Sequence, residues 1–317
     1  MSTDDLRRAL AEVLSATDIT GLRHLSGGAS RETWSFDADG RPLILQRQRR
    51  GDTRNMATEA SILRAARAAG VPVAALIADS VEAPGESNPL GAGFIVLERV
   101  SGETIARKIL RDEAFAHARE RLTRDCAVAL ARLHAIPVAD VPTLQSSDQL
   151  QQYREIFDSI GRPHPSFELV FHWLDAHRPQ TARRGVVHGD FRLGNLMVDE
   201  DGLAAVLDWE LAHIGDPMED LGWLCSKAWR FGQPQPVAGV GSYDELFVAY
   251  AAESGVAVDP DTVHWWEVLG TLKWGIICIM QAEAHLSGAS RSHELAAIGR
   301  RTCETEHDLF LALDGRW

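Results

Sequence analysis

The segment that most constrains this chain begins at Val186-Val187-His188-Gly189-Asp190-Phe191-Arg192-Leu193-Gly194-Asn195 and ends at Leu207-Asp208-Trp209-Glu210. Apolar Val186-Val187 reads as a short strand feeding a loop. Leu196-Met197-Val198 leaves the loop as a second strand, Asp201-Gly202 marks a tight turn, and residues 204–207 return antiparallel. Such a hairpin brings Asp208 back beside Asn195 and leaves Asp190 just outside the strand. Two oxygen ligands from adjacent strands suit a hard cation such as magnesium, which keeps several waters and takes further ligands from phosphates. Asp and Asn are also common turn residues, and a lone pair of them would be read that way. Strand, loop, hairpin and second Asp occurring in order argue against that reading.

The pattern is that of a phosphoryl-transfer centre. In protein kinases one Asp takes up the substrate hydroxyl proton, while an Asn shortly after it and an Asp on the next hairpin hold magnesium. Asp190, Asn195 and Asp208 fall at those three places. The chain resembles the aminoglycoside phosphotransferase-like family, whose fold is protein-kinase-like. His188-Gly189-Asp190 stands where kinases have His-Arg-Asp, and Asp208-Trp209-Glu210 where they have Asp-Phe-Gly. Gly215-Asp216-Pro217 and Asp220-Leu221-Gly222-Trp223 resemble the same family. The runs HGDFRLGN and LDWELAHIGDP are most similar to the branch of kinase-like domains fused to acyl-CoA dehydrogenases. The likeness runs from about Leu25 to the C-terminal helices.

That resemblance implies an α+β fold of two lobes: an N-terminal antiparallel sheet with one main helix, and a larger, mainly helical C-terminal lobe carrying the catalytic hairpin. Residues 1–100 are then expected to form the nucleotide-binding lobe, and 101–317 the catalytic and acceptor-binding lobe. It also implies ATP and magnesium as cofactors and transfer of the γ-phosphoryl group to a small-molecule hydroxyl, with the acceptor left open. Asp190 is the expected catalytic residue, and Asn195 and Asp208 the expected metal ligands.

Composition agrees with this frame. At 317 residues and 45% apolar content the chain can bury a full core without a second independent domain. A net charge of -13 argues against a nucleic-acid or anionic-membrane binder, both of which need basic surface. No obligate protein partner is evident. Cys126, Cys225, Cys278 and Cys303 are too dispersed for a zinc site and read as reduced. Residues 1–10 are polar and charged, unlike a secretory segment. The longest apolar stretch, near Trp274 to Met280, falls far short of the ~20 residues of a membrane-spanning helix. A cytoplasmic enzyme is expected.

In the N-terminal part, a helix is predicted over residues 5–14, with Leu6, Leu10 and Leu14 on one face. The small-residue loop around Gly27, Gly28 and Ser30 precedes a predicted hairpin through Asp39-Gly40 and can lay backbone N–H groups over phosphates; in the family context Ser30 adds a hydroxyl donor. The departure from the kinase pattern lies in Leu43-Ile44-Leu45-Gln46-Arg47-Gln48, where kinases place a phosphate-contacting Lys and this chain has no Lys before Lys108. Gln46 aligns with that place, and strand alternation sends Arg47 to the opposite face. Arg47 becomes the phosphate cation if the register slips by one; otherwise it joins Arg49 and Arg50 on a solvated edge. A helix over residues 55–69, with Asp52-Thr53 as a cap, carries Glu59. Glu59 resembles the glutamate that steadies the kinase cation, and its plainer reading is a surface acid near Arg64 or Arg67. Residues 94–102 resemble the inter-lobe hinge, with Glu98 and Val100 as the backbone contacts for adenine.

In the C-terminal part, helices are predicted over 121–134, 150–160 and 166–177, with His134 a structural helix-end group. Asp216 is read as a helix cap that also resembles the family's buttress of the catalytic loop. Trp223, Trp229, Trp265, Trp266 and Trp274 read first as core, and second as walls of an acceptor pocket. Lys273 either snorkels to the surface or faces that pocket. The rival functional reading, prompted by the missing N-terminal lysine, is a pseudokinase-type module that binds nucleotide without transferring it. Retention of Asp190, Asn195 and Asp208 together argues against that rival.

Overall fold

The computed structural model describes residues 1–25, 31–49, 56–80, 88–180 and 183–316. Helix α1 (Thr3–Leu14) starts earlier than the apolar spacing predicts, because Ser2 and Asp5 form a reciprocal capping box that satisfies the first turn. Strands β1 (Ile19–Leu25), β2 (Arg31–Ala38) and β3 (Arg41–Gln48) follow, then α2 (Met56–Ala68), β4 (Leu76–Asp79) and β5 (Phe94–Glu98). They build one sheet in the order β1-β2-β3-β5-β4 with every neighbour antiparallel. Asp39 and Gly40, both left-handed, make the predicted β2–β3 turn.

Strand alternation sorts the side chains of this sheet onto two faces. Leu43 and Leu45 join Phe36, Phe94 and Val96 under Leu6 and Leu10 of α1. On the other face, Ile95 and Leu97 pack with Ile62, Leu63 and Ala66 of α2. Gln46 shares its face with Ile44 and looks toward α2; Arg47 shares its face with Leu45 and looks toward α1.

The larger part comprises α3 (Ala106–Arg111), α4 (Ala116–His134), α5 (Gln149–Ile160), α6 (Pro165–Ala176), β6 (Gly185–Val187), β7 (Leu196–Val198), β8 (Leu203–Val206), β9 (His213–Gly215), α7 (Met218–Cys225), α8 (Tyr243–Ser254), α9 (Pro260–Leu286), α10 (His293–Gly299) and α11 (Thr302–Leu313). The predicted hairpin is β7–β8, with Leu196 opposite Val206. Strand β9, which pairs Ile214 with Val186 of β6, was not predicted from the sequence.

The core of α2 is continuous with that of the larger part, since Ile62 and Leu63 share a cluster with Leu122 and Leu130 of α4, Leu196 of β7 and Trp209. A main-chain bond also ties the regions together: Val206 N–H donates to the Pro72 carbonyl. Packing therefore crosses residue 100 without a break. Among the described residues no helix is long and apolar enough to cross a membrane.

Helix α9 is buried along most of its length and forms the spine of the larger part, flanked by Phe167 and Leu174 of α6 and Leu309 of α11. It meets α7 at Gly222, where a Cβ would stand 2.5 Å from Trp266 Cβ and 2.8 Å from the Glu267 nitrogen. We expect Gly222→Ala to force the two helices apart and cost about 1–3 kcal/mol, as overpacking does. Urea unfolding measures this, and an unchanged midpoint would count against so tight a crossing.

Candidate active site

The loop between β6 and β7 is held by its backbone. Asp220 of α7, wholly buried, accepts the His188 N–H at 2.8 Å and the Gly189 N–H at 2.9 Å. Its Oδ2 also lies 3.1 Å from His134 Nε2, and His134 Nδ1 lies 2.9 Å from the Tyr250 hydroxyl. Burial alone would raise the Asp220 carboxyl; the His134 hydrogen bond and the donors around it outweigh burial and hold it below its ordinary range. On the other side of the loop, the buried Lys273 Nζ donates to the Gly189 carbonyl at 3.1 Å, with Trp223 and Tyr153 rings beside it. Gly189 itself has φ 79°, and a Cβ there would stand 2.6 Å from the Leu211 carbonyl oxygen. The arginine of the kinase motif has no room at this position.

Asp190 projects from this clamped backbone. Its Oδ1 accepts from Trp223 Nε1 at 2.8 Å and Arg192 Nε at 3.0 Å, and its Oδ2 accepts from Asn195 Nδ2 at 2.6 Å. Asn195 Nδ2 also donates to the Asp190 carbonyl at 3.1 Å. The amide nitrogen is thus spent on Asp190, and its oxygen is left for a ligand. The hairpin continues one rung beyond its strands, with Leu207 N–H on the Asn195 carbonyl at 2.8 Å, which places Asp208 next to Asn195 as the spacing predicts. His188 Nε2, 3.0 Å from the Leu207 carbonyl, locks the loop to the hairpin. Asp208 adopts a left-handed φ of 61°, a conformation that Asp tolerates better than most side chains.

Burial raises the Asp208 carboxyl to about 6, with Glu210 and Asp190 adding to the rise and Arg31 opposing it. A carboxyl surrounded by like charge is short of cationic partners, and one carboxylate beside one amide oxygen is a donor set for a divalent cation that keeps most of its waters. The residues present therefore fit magnesium. Among the described residues no group of three or more His, Cys, Asp and Glu side chains gathers as a denser metal site.

The N-terminal candidates separate into two groups. Glu59, buried on α2, meets Arg31 of β2 at 2.5 Å, and Arg31 Nη1 also donates to Gln46 Oε1 at 3.1 Å. Glu59 is therefore no surface acid: Arg64 pairs with Asp79 instead, and Arg67 reaches the Val73 carbonyl. The expectation that Arg47 supplies the cation beside Glu59 is corrected. Its face of β3 turns it toward α1, where it lies 3.6 Å from Glu32 and 3.6 Å from the Met1 sulfur. At the hinge, the Glu98 N–H is spent on the Ala75 carbonyl, so any main-chain contribution from Glu98 is through its own carbonyl. The Val100 N–H has no partner among the described residues. Gly27, Gly28 and Ser30, and the expected cap at Asp52-Thr53, lie outside the described residues.

Further corrections concern the larger part. The buttress of the catalytic loop is Asp220; Asp216 caps α7 through the Met218 N–H at 3.0 Å and accepts from Trp266 Nε1 at 3.3 Å. Lys273 does not snorkel to the surface: it is buried and works as an internal strut of the loop. Trp265 is core, donating to the Leu174 carbonyl. Trp223 bonds Asp190 directly, and behind it Trp229 packs at 5.2 Å, itself covered by Trp274 at 4.9 Å and the Arg192 guanidinium at 4.4 Å. Sequence reasoning missed Arg31, Arg192 and Asp220 as parts of the site, and singled out Lys273 without its contact to the loop. The signal available for Asp220 was its place, one turn before Trp223. A cavity of about 1050 Å³ between α2 and α4 contains none of the Asp190 set and is not the site.

A five-stranded sheet over a helical lobe, with an Asp–Asn loop and an Asp-bearing hairpin between them, is the frame of the kinase-like phosphotransferases. Residues 21–265 match the model of the phosphotransferase enzyme family, and the chain belongs to that family. It is 26% identical to mouse acyl-CoA dehydrogenase family member 10 over 94% of this chain and 23% identical to chicken family member 11 over 89%. The chain spans only 30% and 39% of the lengths of those relatives. A putative aminoglycoside phosphotransferase from Ralstonia eutropha superposes with a TM-score of 0.77 at 20% identity, over 99% of this chain and 98% of the other. A spectinomycin phosphotransferase, solved with ADP and spectinomycin, gives 0.70 at 13% identity, over 98% of each chain. These likenesses establish the protein-kinase-like α+β fold.

The Asp220 carboxyl, lowered in the folded state, contributes stability that is present above its unfolded value of ~3.9 and is lost as pH falls through the folded value. We expect Asp220→Asn to cost about 3 kcal/mol near neutral pH, by mispairing a buried N–H donor, and to flatten the acid limb of the stability curve below about pH 4. Urea unfolding from pH 3 to 7 tests this, and an acid limb identical to that of the native chain would contradict it.

Proposed function

We propose that this chain is an ATP- and magnesium-dependent phosphotransferase that moves the γ-phosphoryl group to a hydroxyl of a small molecule. Residues 1–100 would form the nucleotide-binding lobe and 101–317 the catalytic and acceptor lobe, in a cytoplasmic protein whose four cysteines are all unpaired. The observation that carries the reading is the convergence of Asp190, Asn195 and Asp208 on one loop and hairpin.

The geometry supports distinct roles. A carboxylate has roughly four lone-pair directions. At Asp190 three are occupied, two on Oδ1 by Trp223 and Arg192 and one on Oδ2 by Asn195. The open direction on Oδ2 is where an acceptor hydroxyl would donate, and Oδ2 would receive its proton as the oxygen attacks. The three donors hold the carboxylate in one orientation, so little reorganisation is needed at the moment of reaction. Asn195 Oδ1 and Asp208 would hold magnesium, which when bound with ATP neutralises the phosphate charge. The Val100 N–H is free to take an adenine nitrogen.

Calorimetric titration of magnesium-ATP with parallel measurement of slow ATP hydrolysis tests the proposal. Asp208→Ala is expected to remove the metal dependence of both binding and hydrolysis. Asp190→Asn is expected to retain binding and lower turnover by about 10²–10⁴-fold, the usual contribution of a positioned base. Native turnover in Asp208→Ala would overturn the assignment. Metal-dependent binding with no turnover under any acceptor would favour a nucleotide-binding module.

A further inference from the structure

We propose that Arg31 of β2 is the phosphate-binding cation of the nucleotide site, taking over from a second strand the role that kinases give to a β3 lysine; this rests on the phosphotransferase reading above. The chain's lysines are Lys108, Lys227 and Lys273. The first pairs with Glu103, the second with Asp308, and the third with the Gly189 carbonyl. All three lie outside the N-terminal sheet, so that sheet must find its cation among its arginines.

Strand register selects which arginine. Arg31 lies opposite Gln48 and Thr33 opposite Gln46, so Arg31 and Gln46 are diagonal neighbours on the face toward α2. From there Arg31 Nη1 reaches both Glu59 at 2.5 Å and Gln46 Oε1 at 3.1 Å. A guanidinium thus occupies the space beside the β3 position and the α2 glutamate, and Gln46 serves as its acceptor. Glutamine suits that place better than a second cation would, because it accepts a hydrogen bond and adds no like charge. Arg31 Nη2 approaches Glu210 at 3.6 Å, on the loop that follows Asp208. Arg31 therefore connects the α2 carboxylate to the metal hairpin, and it does so with 7% of its side chain exposed.

Its hydrogen-bonding capacity is not exhausted by these contacts. A guanidinium carries five N–H donors in a planar fork. Nη1 donates to Gln46 and lies in ion-pair contact with Glu59, and Nη2 makes only the longer ion pair. Nε is buried with no hydrogen-bond partner among the described residues. Nε and Nη2 form one edge of the fork, and that paired edge is the geometry that binds two oxygens of a phosphate at once. A buried ion pair that served stability alone would leave no reason for its second edge to be unfilled.

The test is the dissociation constant of magnesium-ATP and of adenosine, measured by calorimetry and ligand-observed NMR on the full chain. Arg31→Met is expected to weaken magnesium-ATP by about 10- to 100-fold, the loss of one charge-assisted contact, and to leave adenosine within about twofold. Arg31→Lys should retain most of the affinity, and Arg31→Met with Gln46→Lys should restore part of it by returning the cation to β3. Because Arg31→Met removes the buried ion pair with Glu59, Arg31→Met with Glu59→Gln is measured alongside it, with thermal unfolding as the check on folding. A folded Arg31→Met variant that binds magnesium-ATP like the native chain, or that loses adenosine to the same extent, overturns the proposal for Arg31 alone. Failure of the native chain to bind magnesium-ATP overturns the phosphotransferase reading and this inference with it.

Discussion

The buried Asp220 carboxylate is the contact on which the rest of the site depends. It occupies both oxygens with consecutive N–H groups of the loop after β6, which fixes the peptide planes on either side of Gly189. One helical turn further along α7, Trp223 bonds Oδ1 of Asp190. A single helix therefore holds both the backbone of the loop and the side chain that the loop presents. His134 and Tyr250 back the carboxylate from α4 and α8, and Lys273 reaches the Gly189 carbonyl from α9. Four helices are thus tied to a loop of very few residues, and the cost of burying Asp220 is offset by the charge-assisted hydrogen bonds it accepts.

Around that fixed point the charges are arranged unevenly. Asp190 has three donors, whereas Asp208 is surrounded by Glu210 and Asp190 with Arg31 in opposition. The first arrangement suits a carboxylate that must keep its direction. The second suits one that awaits a cation. Two carboxylates on adjacent segments are thereby set apart by their surroundings, which is how one site can hold a base and a metal ligand side by side. Glu210 occupies the position at which kinases have Gly, and its approach to Arg31 links the metal hairpin to the N-terminal sheet.

The N-terminal sheet illustrates how strand parity decides chemistry. Adjacent residues Gln46 and Arg47 differ by one position and lie on opposite faces, one toward α2 and one toward α1. The arginine that meets Glu59 comes from the neighbouring strand, fifteen positions earlier than Gln46. No local pattern around β3 contains that information, because register between strands is set by the β2–β3 turn and by which face is buried.

The hairpin, its paired ligands and the base were legible in the sequence because their order is local: an apolar strand, a loop, a strand, an Asp-Gly turn and a returning strand leave little choice of geometry. The helices were legible for the same reason, since their apolar spacing repeats within a few turns, although Ser2 and Asp5 moved the first boundary through a cap. Strand β9 was not, because three residues become a strand only when β6 lies beside them. The sequence placed the buttress of the loop at Asp216 rather than Asp220, since both sit at the start of one helix and only the direction in which α7 docks decides which reaches His188. Lys273 read as either surface or pocket because a lysine in an apolar helix gives no azimuth relative to a loop 84 residues away. By itself the sequence determined the elements and the chemical types at the site, through short-range periodicity and turn chemistry. Only the tertiary structure decided which charges meet, because ion pairs such as Arg31–Glu59 and struts such as Lys273–Gly189 depend on the faces that packed elements turn toward one another.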